Sequence, residues 1–370
     1  MKITLKHNSV QMLLALLRAS LHERDIEMSF FESASPDDWK LCYRIAAEQG
    51  VMALAWDGVM KLPKALQPPL AVKISWASGV EAYEQKYRRY CSAVDEVTRF
   101  YAAQGIATMQ MKGVGFSTLY PVPCHREGGD IDIYTYSADL SRMNHKEANR
   151  LADKLMQEQG VEVETDHTPK HSNFYYKGIP FENHKTFLNV ETYKVAAQVD
   201  RILQENMKPE RVKLAEGEVM IPSPLFNTLF IAFHALQHYG SGLALHHLCD
   251  WAMILRRYGL HIPEEIKNRK LLDGFAALTR LCNQYLGTSQ LVEGGEHVAA
   301  EMMREILSPS FSKDVPTRNK VGILVYKTRR LLHGHRIKGE VLESSLAERI
   351  WKSFVSHVRN PQTIFGTDRS

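Results

Sequence analysis

The most informative part of the sequence is residues 109–135, which read MQMKGVGFSTLYPVPCHREGGDIDIYT. Near the end of this stretch apolar and acidic residues alternate, a pattern that predicts a β-strand. Successive side chains of a strand point to opposite faces, so Asp130 and Asp132 would share one face, about 6 to 7 Å apart, while Ile131 and Ile133 face the core. Two carboxylates on one face suit a hard divalent cation such as Mg²⁺, which prefers oxygen ligands.

A Lys-Gly pair precedes this strand. Lys112 and Gly113 lie where an apolar run, residues 106–111, gives way to a predicted short helix. A residue without a side chain lets backbone N–H groups approach a phosphate, and a helix N-terminus favours negative charge. Lys112 would add a positive charge at the same place. A Lys-Gly pair or an Asp-x-Asp pattern is a weak signal alone, but their combination indicates a site for both phosphate and metal.

The hydrophobic pattern divides the whole chain into three regions. The first has helical periodicity, the second contains short apolar or alternating runs, and in the third the helical period returns. The predicted regions are an N-terminal helical region at 1–104, an α/β core at 105–221 and a C-terminal helical region at 222–370. We therefore expect an α+β chain in which N-terminal helices and a C-terminal helical bundle flank a central mixed sheet.

Two helices stand out in this pattern. Aromatic and apolar residues recur at alternating spacings of four and three in a long helix from Val72 to about Ala103, and Gly105 is a plausible C-terminal cap for it. A second helical segment, from Asn144 to Gln159, interrupts the strand-like runs of the central region. The central region is therefore expected to be a small α/β or α+β unit.

Composition excludes several classes of protein. The 370 residues are 44% hydrophobic and 24% charged, proportions of a globular chain rather than a fibrous or disordered one. A net charge of +4 fits anionic ligands but not a dedicated nucleic-acid coat. The five cysteines show no C-x-x-C spacing, so neither a disulfide framework nor a zinc ribbon is implied. No apolar run reaches the roughly 18 residues of a membrane span and no signal peptide opens the chain, so we expect a cytoplasmic protein.

The motif between Lys112 and Asp132 resembles a known enzyme superfamily. The Lys-Gly turn, Tyr120-Pro121, Arg126 and the Gly-Asp-Ile-Asp strand are similar to the nucleotidyltransferase superfamily, and in wording to its family of uncharacterised bacterial nucleotidyltransferases. That family has a Lys-Gly turn and an Arg-x-x-Gly-Asp-x-Asp strand. The segment also resembles the nucleotidyltransferase toxins of abortive-infection systems. The match covers about 25 residues, and the helical flanks agree in outline.

The resemblance implies a nucleotidyltransferase-like sheet in which Asp130 and Asp132 bind Mg²⁺ or Mn²⁺. Lys112 and Gly113 would receive the triphosphate of an NTP. Val114 stands where much of the superfamily has serine, so Lys112 or Arg126 would have to replace a serine contact to phosphate.

The superfamily also places a third carboxylate on a later strand. Glu182 is the candidate here, either as the third metal ligand or as the base that takes the proton of the acceptor hydroxyl. His184 shares its strand face by the same alternation, and could position the acceptor or stabilise charge. A solvent-facing strand edge is the alternative for both residues.

A histidine cluster downstream has no settled role. His234 and His238 lie four residues apart on a predicted helix, and His246, His247 and Asp250 follow. Such a set is able to hold a metal, to contact a nucleotide, or to satisfy its own hydrogen bonds inside a helical core. The Leu-x-x-Leu-Cys-Asp-Trp motif extends the family resemblance. His246 occupies a position of this motif where arginine is more usual. The basic run from Lys327 to Lys338 is a solvated face, or a phosphate-binding surface if the acceptor is RNA.

These observations predict a metal-dependent nucleotidyltransferase that moves a nucleoside monophosphate from an NTP to an acceptor hydroxyl and releases pyrophosphate. The acceptor, a small molecule, sugar, protein or tRNA, is not identified, nor are the base preference and oligomeric state. The alternatives are an inactive nucleotide-binding or interaction module and a toxin-like enzyme acting on tRNA. The sequence has neither a Gly-x-Ser-x-Gly elbow nor a Walker-type phosphate loop, which argues against serine hydrolases and P-loop enzymes.

Overall fold

The computed structural model describes residues 4–22, 26–139, 141–165, 170–311, 319–343, 345–347 and 350. The N-terminal elements are all helical. They are α1 (Asn8–His22), α2 (Ser29–Glu32), α3 (Pro36–Glu48), α4 (Met52–Lys61) and α5 (Leu70–Ala102). A capping box between Ser35 and Asp38 starts α3 directly before its proline, as expected for a helix N-terminus.

The central elements form a five-stranded mixed sheet and a separate hairpin. They are β1 (Ile106–Gln110), α6 (Val114–Ser117), β2 (Ile131–Ser137), α7 (His145–Glu158), β3 (Val163–Glu164), β4 (His171–Tyr176), β5 (Ile179–His184), α8 (Ala196–Glu205), β6 (Glu210–Lys213) and β7 (Glu218–Ile221). The sheet order is β1-β2-β5-β4-β3, and β6 pairs only with β7. The pair β2–β5 is parallel and the others are antiparallel. The two strands expected to carry the site are therefore direct neighbours.

The C-terminal elements are again helical. They are α9 (Pro224–His238), α10 (Leu245–Tyr258), α11 (Arg269–Leu281), α12 (Glu296–Leu307) and α13 (Lys320–Lys338), with a π-helical turn at Cys282–Leu286. One hydrophobic core joins side chains of α1, α3 and α4 to those of α9, α10 and α11. A second core lies between the sheet, α7 and the second half of α5. The N-terminal and C-terminal helices thus share a core, against which the sheet unit packs.

The fold class is confirmed: the chain is α+β, with a mixed sheet between helical flanks. The long helix ends at Ala102, and Gly105 adopts φ +75° in the turn into β1. Helix α8 and the hairpin β6–β7 were not predicted. The hairpin strands are short, and exposed charged residues interrupt their apolar pattern, so alternation gives little signal there. The three-region division stays a prediction. In the described ranges, every helix is too short or too polar to cross a membrane.

Candidate metal and nucleotide site

The Lys-Gly turn is shaped by two glycines and one glutamine. Gly113 adopts φ +74° and ψ −139°, a backbone conformation that side-chain-bearing residues rarely adopt. The side-chain oxygen of Gln110 accepts a hydrogen bond from the Gly115 N–H at 2.7 Å. A Cβ on Gly115 would lie 2.7 Å from a methyl carbon of Ile221 in β7, so only glycine fits under the hairpin. Contacts with Gln110 of β1 and with Ile221 of the hairpin therefore fix the conformation of the turn.

Lys112 lies between the two aspartates of the Asp-x-Asp pattern. Its Nζ is 3.4 Å from Asp130 Oδ1 and 3.0 Å from Asp132 Oδ2, so both carboxylates face the same way, as strand alternation predicts. Burial disfavours the charged ammonium, but the two carboxylates outweigh this and raise the pKa of Lys112. Lys112 favours the ionised form of Asp130, yet the neighbouring charge of Asp132, together with burial, leaves the pKa of Asp130 raised.

The parallel pairing of β2 and β5 brings three ligand atoms together. Asp132 is directly opposite Glu182 in the register, and His184 lies two residues further along the same face of β5. Asp132, Glu182 and His184 each offer one atom, and these atoms lie within 4.8 Å of one another. His184 Nε2 is 3.0 Å from Asp132 Oδ1 and 3.5 Å from Glu182 Oε2. Asp130 is linked to this group through Lys112.

Hydrogen-bond roles at His184 indicate that a cation belongs in this group. The other ring nitrogen, Nδ1, lies 3.2 Å from the carbonyl oxygen of Thr186, which can only accept, so Nδ1 carries the hydrogen. In a neutral ring Nε2 is then an acceptor that faces two carboxylate oxygens. A proton or a metal ion on Nε2 removes this repulsion. Asp132 Oδ2 is buried without a well-formed hydrogen bond, although Lys112 Nζ is near it. These donors fit a divalent metal.

Ionisation of the two carboxylates is also compatible with a cation site. Burial favours the neutral acid at Asp132, but Lys112 and His184 hold its pKa well below the usual range. Burial likewise favours the neutral form of Glu182, and the adjacent His184 lowers its pKa despite this. Both groups are therefore charged at neutral pH.

The opposite face of β5 is fixed by a buried polar network. Asn183 accepts hydrogen bonds from Thr135 in β2 and from Asn149 in α7, each at 2.9 Å. Its amide nitrogen donates to Asp153 of α7 at 2.8 Å, and Ser172 of β4 donates to the same carboxylate. Because the neighbours of Asn183 in sequence are Glu182 and His184, this network sets the depth and tilt of both site residues.

Two residues of the site were not identified from the sequence. His171, a histidine at the start of β4, lies with its Nε2 3.3 Å from Glu182 Oε2. Burial lowers the pKa of Lys170, against the opposing charges of Asp132 and Glu182. The only available signal was the antiparallel pairing of β4 with β5, which places His171 opposite His184. His167, the other histidine close before this hairpin in the sequence, lies outside the described residues.

Arg126 is engaged in a buried ion pair. Its Nε and Nη2 donate to the two carboxylate oxygens of Asp250, each at 2.8 Å, and Tyr120 donates its hydroxyl to the same carboxylate at 2.6 Å. Arg126 Nη1 donates to the Gly113 carbonyl oxygen at 3.3 Å. Arg126 therefore connects α10 to the Lys-Gly turn. Most hydrogen-bond donors of Arg126 already have protein partners. Its role as a phosphate ligand stays a prediction.

The histidine cluster lines a cavity of about 330 Å³ next to Lys112 and Asp130. His234, His238 and His247 offer ligand atoms within 4.8 Å of one another. However, His247 Nδ1 accepts the Ala244 N–H at 3.1 Å, so its Nε2 carries the hydrogen. Coordination through Nε2 would need the opposite tautomer and would break this cap of α10. The cluster is therefore better suited to hydrogen bonding than to metal binding.

Burial of His247 leads to a pH-dependent stability. Burial lowers the pKa of His247 well below its usual value, and the same holds for His234. Below pH 6.5 the unfolded chain gains a proton on His247 that the folded chain cannot take up. The free energy of unfolding should therefore fall with decreasing pH, by about 1.4 kcal/mol per pH unit for this residue. Urea unfolding between pH 7.5 and 5 measures this slope.

The matched variant is His247→Gln. Glutamine at the third helical position also accepts the N-cap N–H, so the cap of α10 is retained while the proton site is lost. We expect a shallower slope for this variant. The charged or titratable groups around His247 include His246, His238, Lys112 and His234, whose ring centroid is 5.7 Å away, and they are unchanged. An identical slope in both proteins would show that His247 does not contribute.

Comparisons with known proteins assign the chain to a family. No functionally curated protein matches the sequence significantly. Among solved structures, a nucleotidyltransferase-like antigenic protein from Paracoccidioides brasiliensis is similar at 13% identity and a TM-score of 0.37, over 56% of this chain and 96% of its own. The family described as uncharacterised nucleotidyltransferase matches residues 35–287, more than half of the chain, including both the Lys-Gly turn and the Asp-x-Asp strand. The chain belongs to this family of uncharacterised nucleotidyltransferases.

Proposed function

We propose that the protein transfers a nucleoside monophosphate from an NTP to an acceptor hydroxyl with the help of a divalent metal, Mg²⁺ or Mn²⁺. The acceptor oxygen forms a bond to the α-phosphorus, the bond from that phosphorus to the β-phosphate bridging oxygen breaks, and pyrophosphate leaves. The observation that carries the proposal is the convergence of Asp132, Glu182 and His184 on one point, beside the Lys112 ammonium. Membership of a nucleotidyltransferase family supports it.

The metal would be held by Asp132, Glu182 and His184, with Asp130 at the edge of the site. When bound, it would supply positive charge to the phosphate oxygens and lower the pKa of the attacking hydroxyl. Asp132 and Glu182 are kept ionised by their neighbours, as ligation requires. The hydroxyl proton is taken up by a carboxylate oxygen of Glu182, which His171 also contacts.

The nucleotide occupies the cavity between the Lys-Gly turn and helices α9 and α10. Its volume of about 330 Å³ lies in the range typical of small-molecule sites. Lys112 and the backbone around Gly113 contact the triphosphate, and the neutral histidines of the far wall offer hydrogen bonds to the nucleoside. Arg126 acts as a positioning residue that holds the Gly113 carbonyl. In this arrangement Lys112 makes the phosphate contact that serine makes in much of the superfamily.

The test is pyrophosphate release from ATP, CTP, GTP and UTP with Mg²⁺ or Mn²⁺. Each NTP is offered with separate acceptor pools: bulk tRNA, small-molecule extract and protein extract. We expect pyrophosphate release that requires the metal and occurs with one of the acceptor pools. It should be lost when Asp132 is replaced. Transfer to tRNA would support the toxin-like alternative. NTP binding without release in any pool would favour an inactive binding module. Bacterial origin and a relation to abortive-infection toxins stay predictions.

Lys112 should compete with metal for the aspartates. Its Nζ lies 3.0 Å from Asp132 Oδ2 and 3.4 Å from Asp130 Oδ1, so a cation bound by Asp132 has to compete with the ammonium for this carboxylate. In the absence of NTP, Lys112→Met should therefore bind Mn²⁺ more tightly than the native chain, by about tenfold for a 1.4 kcal/mol gain. The same variant should lose activity, because the triphosphate loses its positive contact. Mn²⁺ titration followed by electron paramagnetic resonance measures the affinity.

Lys154→Met is the matched control for Lys112→Met. Lys154 is exposed on α7, where it pairs with Glu158 of the same helix at 3.7 Å. The control should leave both Mn²⁺ affinity and activity unchanged. Weaker Mn²⁺ binding in Lys112→Met would contradict a metal site at the aspartates.

A further inference from the structure

A second group of potential ligands lies on the loop that leads into β2. Residues Pro123–His125 form a single 3₁₀ turn between the Lys-Gly turn and the Asp-x-Asp strand. There His125 and Cys124 meet Glu84 of α5, and their ligand atoms lie within 4.8 Å of one another. Asp57 of α4 contacts the far side of the His125 ring. This group shares no residue with the site described above.

The two ring nitrogens of His125 have different partners. Both carboxylate oxygens of Asp57 lie 2.9 Å from Nδ1, and a carboxylate accepts, so Nδ1 carries a hydrogen. Nε2 lies 3.2 Å from Glu84 Oε1. In a neutral ring Nε2 is an acceptor, and two acceptors at this distance repel. A positive species must therefore lie between His125 and Glu84: either a proton, making an imidazolium, or a metal ion.

We propose that Glu84, Cys124 and His125 bind one zinc ion, with Asp57 orienting the histidine from outside the ligand set. A carboxylate that holds the second nitrogen of a ligating histidine is the common arrangement around zinc. Ligands about 2.0 to 2.1 Å from a tetrahedral ion lie about 3.3 Å from each other, close to the observed 3.2 Å between Nε2 and Oε1.

The ligand types favour zinc over magnesium. The Cys124 thiolate is a soft ligand that suits a borderline ion such as zinc, whereas it does not suit the hard Mg²⁺ ion. Arg88 contacts the other carboxylate oxygen, Oε2 of Glu84, at 3.4 Å, so Oε1 is the oxygen turned to the ion. A proton would satisfy His125 and Glu84 without involving the Cys124 thiol, so a signal from a metal-bound thiolate distinguishes the two interpretations.

At this position, a bound zinc ion would also affect the stability of the fold. Its ligands come from α5 and from the loop before β2, and its orienting carboxylate comes from α4. The same loop continues through Arg126 and Gly129, whose carbonyl accepts a hydrogen bond from Tyr90 of α5. Zinc would therefore connect this loop, which leads to Asp130, to the N-terminal helices. Zinc-saturated protein should accordingly unfold at a higher temperature than zinc-free protein.

The experiment is titration of the full-length protein with Co²⁺ and then with Zn²⁺, without NTP. A thiolate bound to Co²⁺ gives an intense near-ultraviolet charge-transfer band, which nitrogen and oxygen ligands do not give. Of the metal-capable groups in the described residues, the one with a cysteine is this one. We expect the band to appear with one Co²⁺ per chain and to disappear on addition of Zn²⁺.

Variants assign the band to its ligands. Cys124→Ser should abolish it, and Asp57→Asn should keep it but weaken zinc binding about 10- to 100-fold, as expected for an orienting residue. Cys282→Ser is the matched control, because Cys282 is buried elsewhere and donates to the Leu248 carbonyl, a bond that serine can also make. Should Cys124→Ser fail to fold, Glu84→Gln tests the same ligand set.

The proposal is overturned by either of two results. One is the lack of any charge-transfer band at millimolar Co²⁺ in reduced protein, which would leave a protonated His125 between Asp57 and Glu84. The other is a band that persists in Cys124→Ser, or one that keeps its full Co²⁺ affinity in Glu84→Gln, which would place the thiolate ligand or the metal elsewhere. Metal bound at Asp132, Glu182 and His184 gives no such band, so the two sites are distinguished in one titration.

Discussion

Asp132→Asn should reduce metal-dependent pyrophosphate release by about 10³-fold, the upper end of the loss seen when one preorganised electrostatic contact is removed from an active site. Asparagine keeps the shape of the side chain but lacks the charge that a divalent metal needs. Asp132 is buried, contacts both Lys112 and His184, and is opposite Glu182 in the register, so it lies at the centre of the proposed ligand group. Steady-state release measured at saturating NTP and metal gives the loss.

Asp139→Asn is the matched control for this substitution. Asp139 follows the opposite end of β2 and accepts hydrogen bonds from Ser141, which asparagine is also able to do. The control should keep full activity. Asp132→Asn must first be shown to be folded, by circular dichroism and by an unchanged unfolding temperature within a few degrees. Full activity in a folded Asp132→Asn variant would refute the proposed metal site.

Local patterns were sufficient to predict the parts of the site that are close together in sequence. The alternation of Asp130 and Asp132 with isoleucines gives both the strand and its face, and the structure agrees because Lys112 contacts both carboxylates. The turn at Gly113 was also predictable, since its φ of +74° favours glycine strongly. These features depend on steric rules that act over a few residues.

Features that depend on pairing between distant segments were less accessible. Glu182 was found through resemblance, but its exact partner, Asp132, depends on a parallel register that no local pattern fixes. Lys170 and His171 come next to the site because β4 is the antiparallel neighbour of β5. The pairing of Arg126 with Asp250 spans 124 residues and depends on how α10 packs. From sequence alone, a charged residue in such a motif is interpreted as a ligand of the substrate. In the structure, Arg126 pairs with Asp250.

Asp250→Asn should lower the free energy of unfolding by about 3–5 kcal/mol, the usual cost of leaving one member of a buried ion pair without its partner. Arg126 and Asp250 are both buried, and the bidentate contact is supported by the hydroxyl of Tyr120. Burial opposes the charge on Arg126, but Asp250 outweighs this and raises the pKa of the guanidinium, so the arginine stays charged and would be left uncompensated. Urea unfolding at pH 7.5 measures the change.

The double variant Arg126→Met, Asp250→Asn separates the charge effect from simple loss of packing. Methionine removes the buried positive charge, and the asparagine oxygen is still able to accept the Tyr120 hydroxyl, so the double variant should be more stable than Asp250→Asn alone. Its activity should nevertheless stay low, because the Gly113 carbonyl has lost the hydrogen bond from Arg126 that fixes the Lys-Gly turn. Equal stability of the single and double variants would mean that an uncompensated charge on Arg126 does not cause the loss of stability in Asp250→Asn. Recovery of stability together with full NTP affinity would mean that the ion pair supports the fold but not the turn.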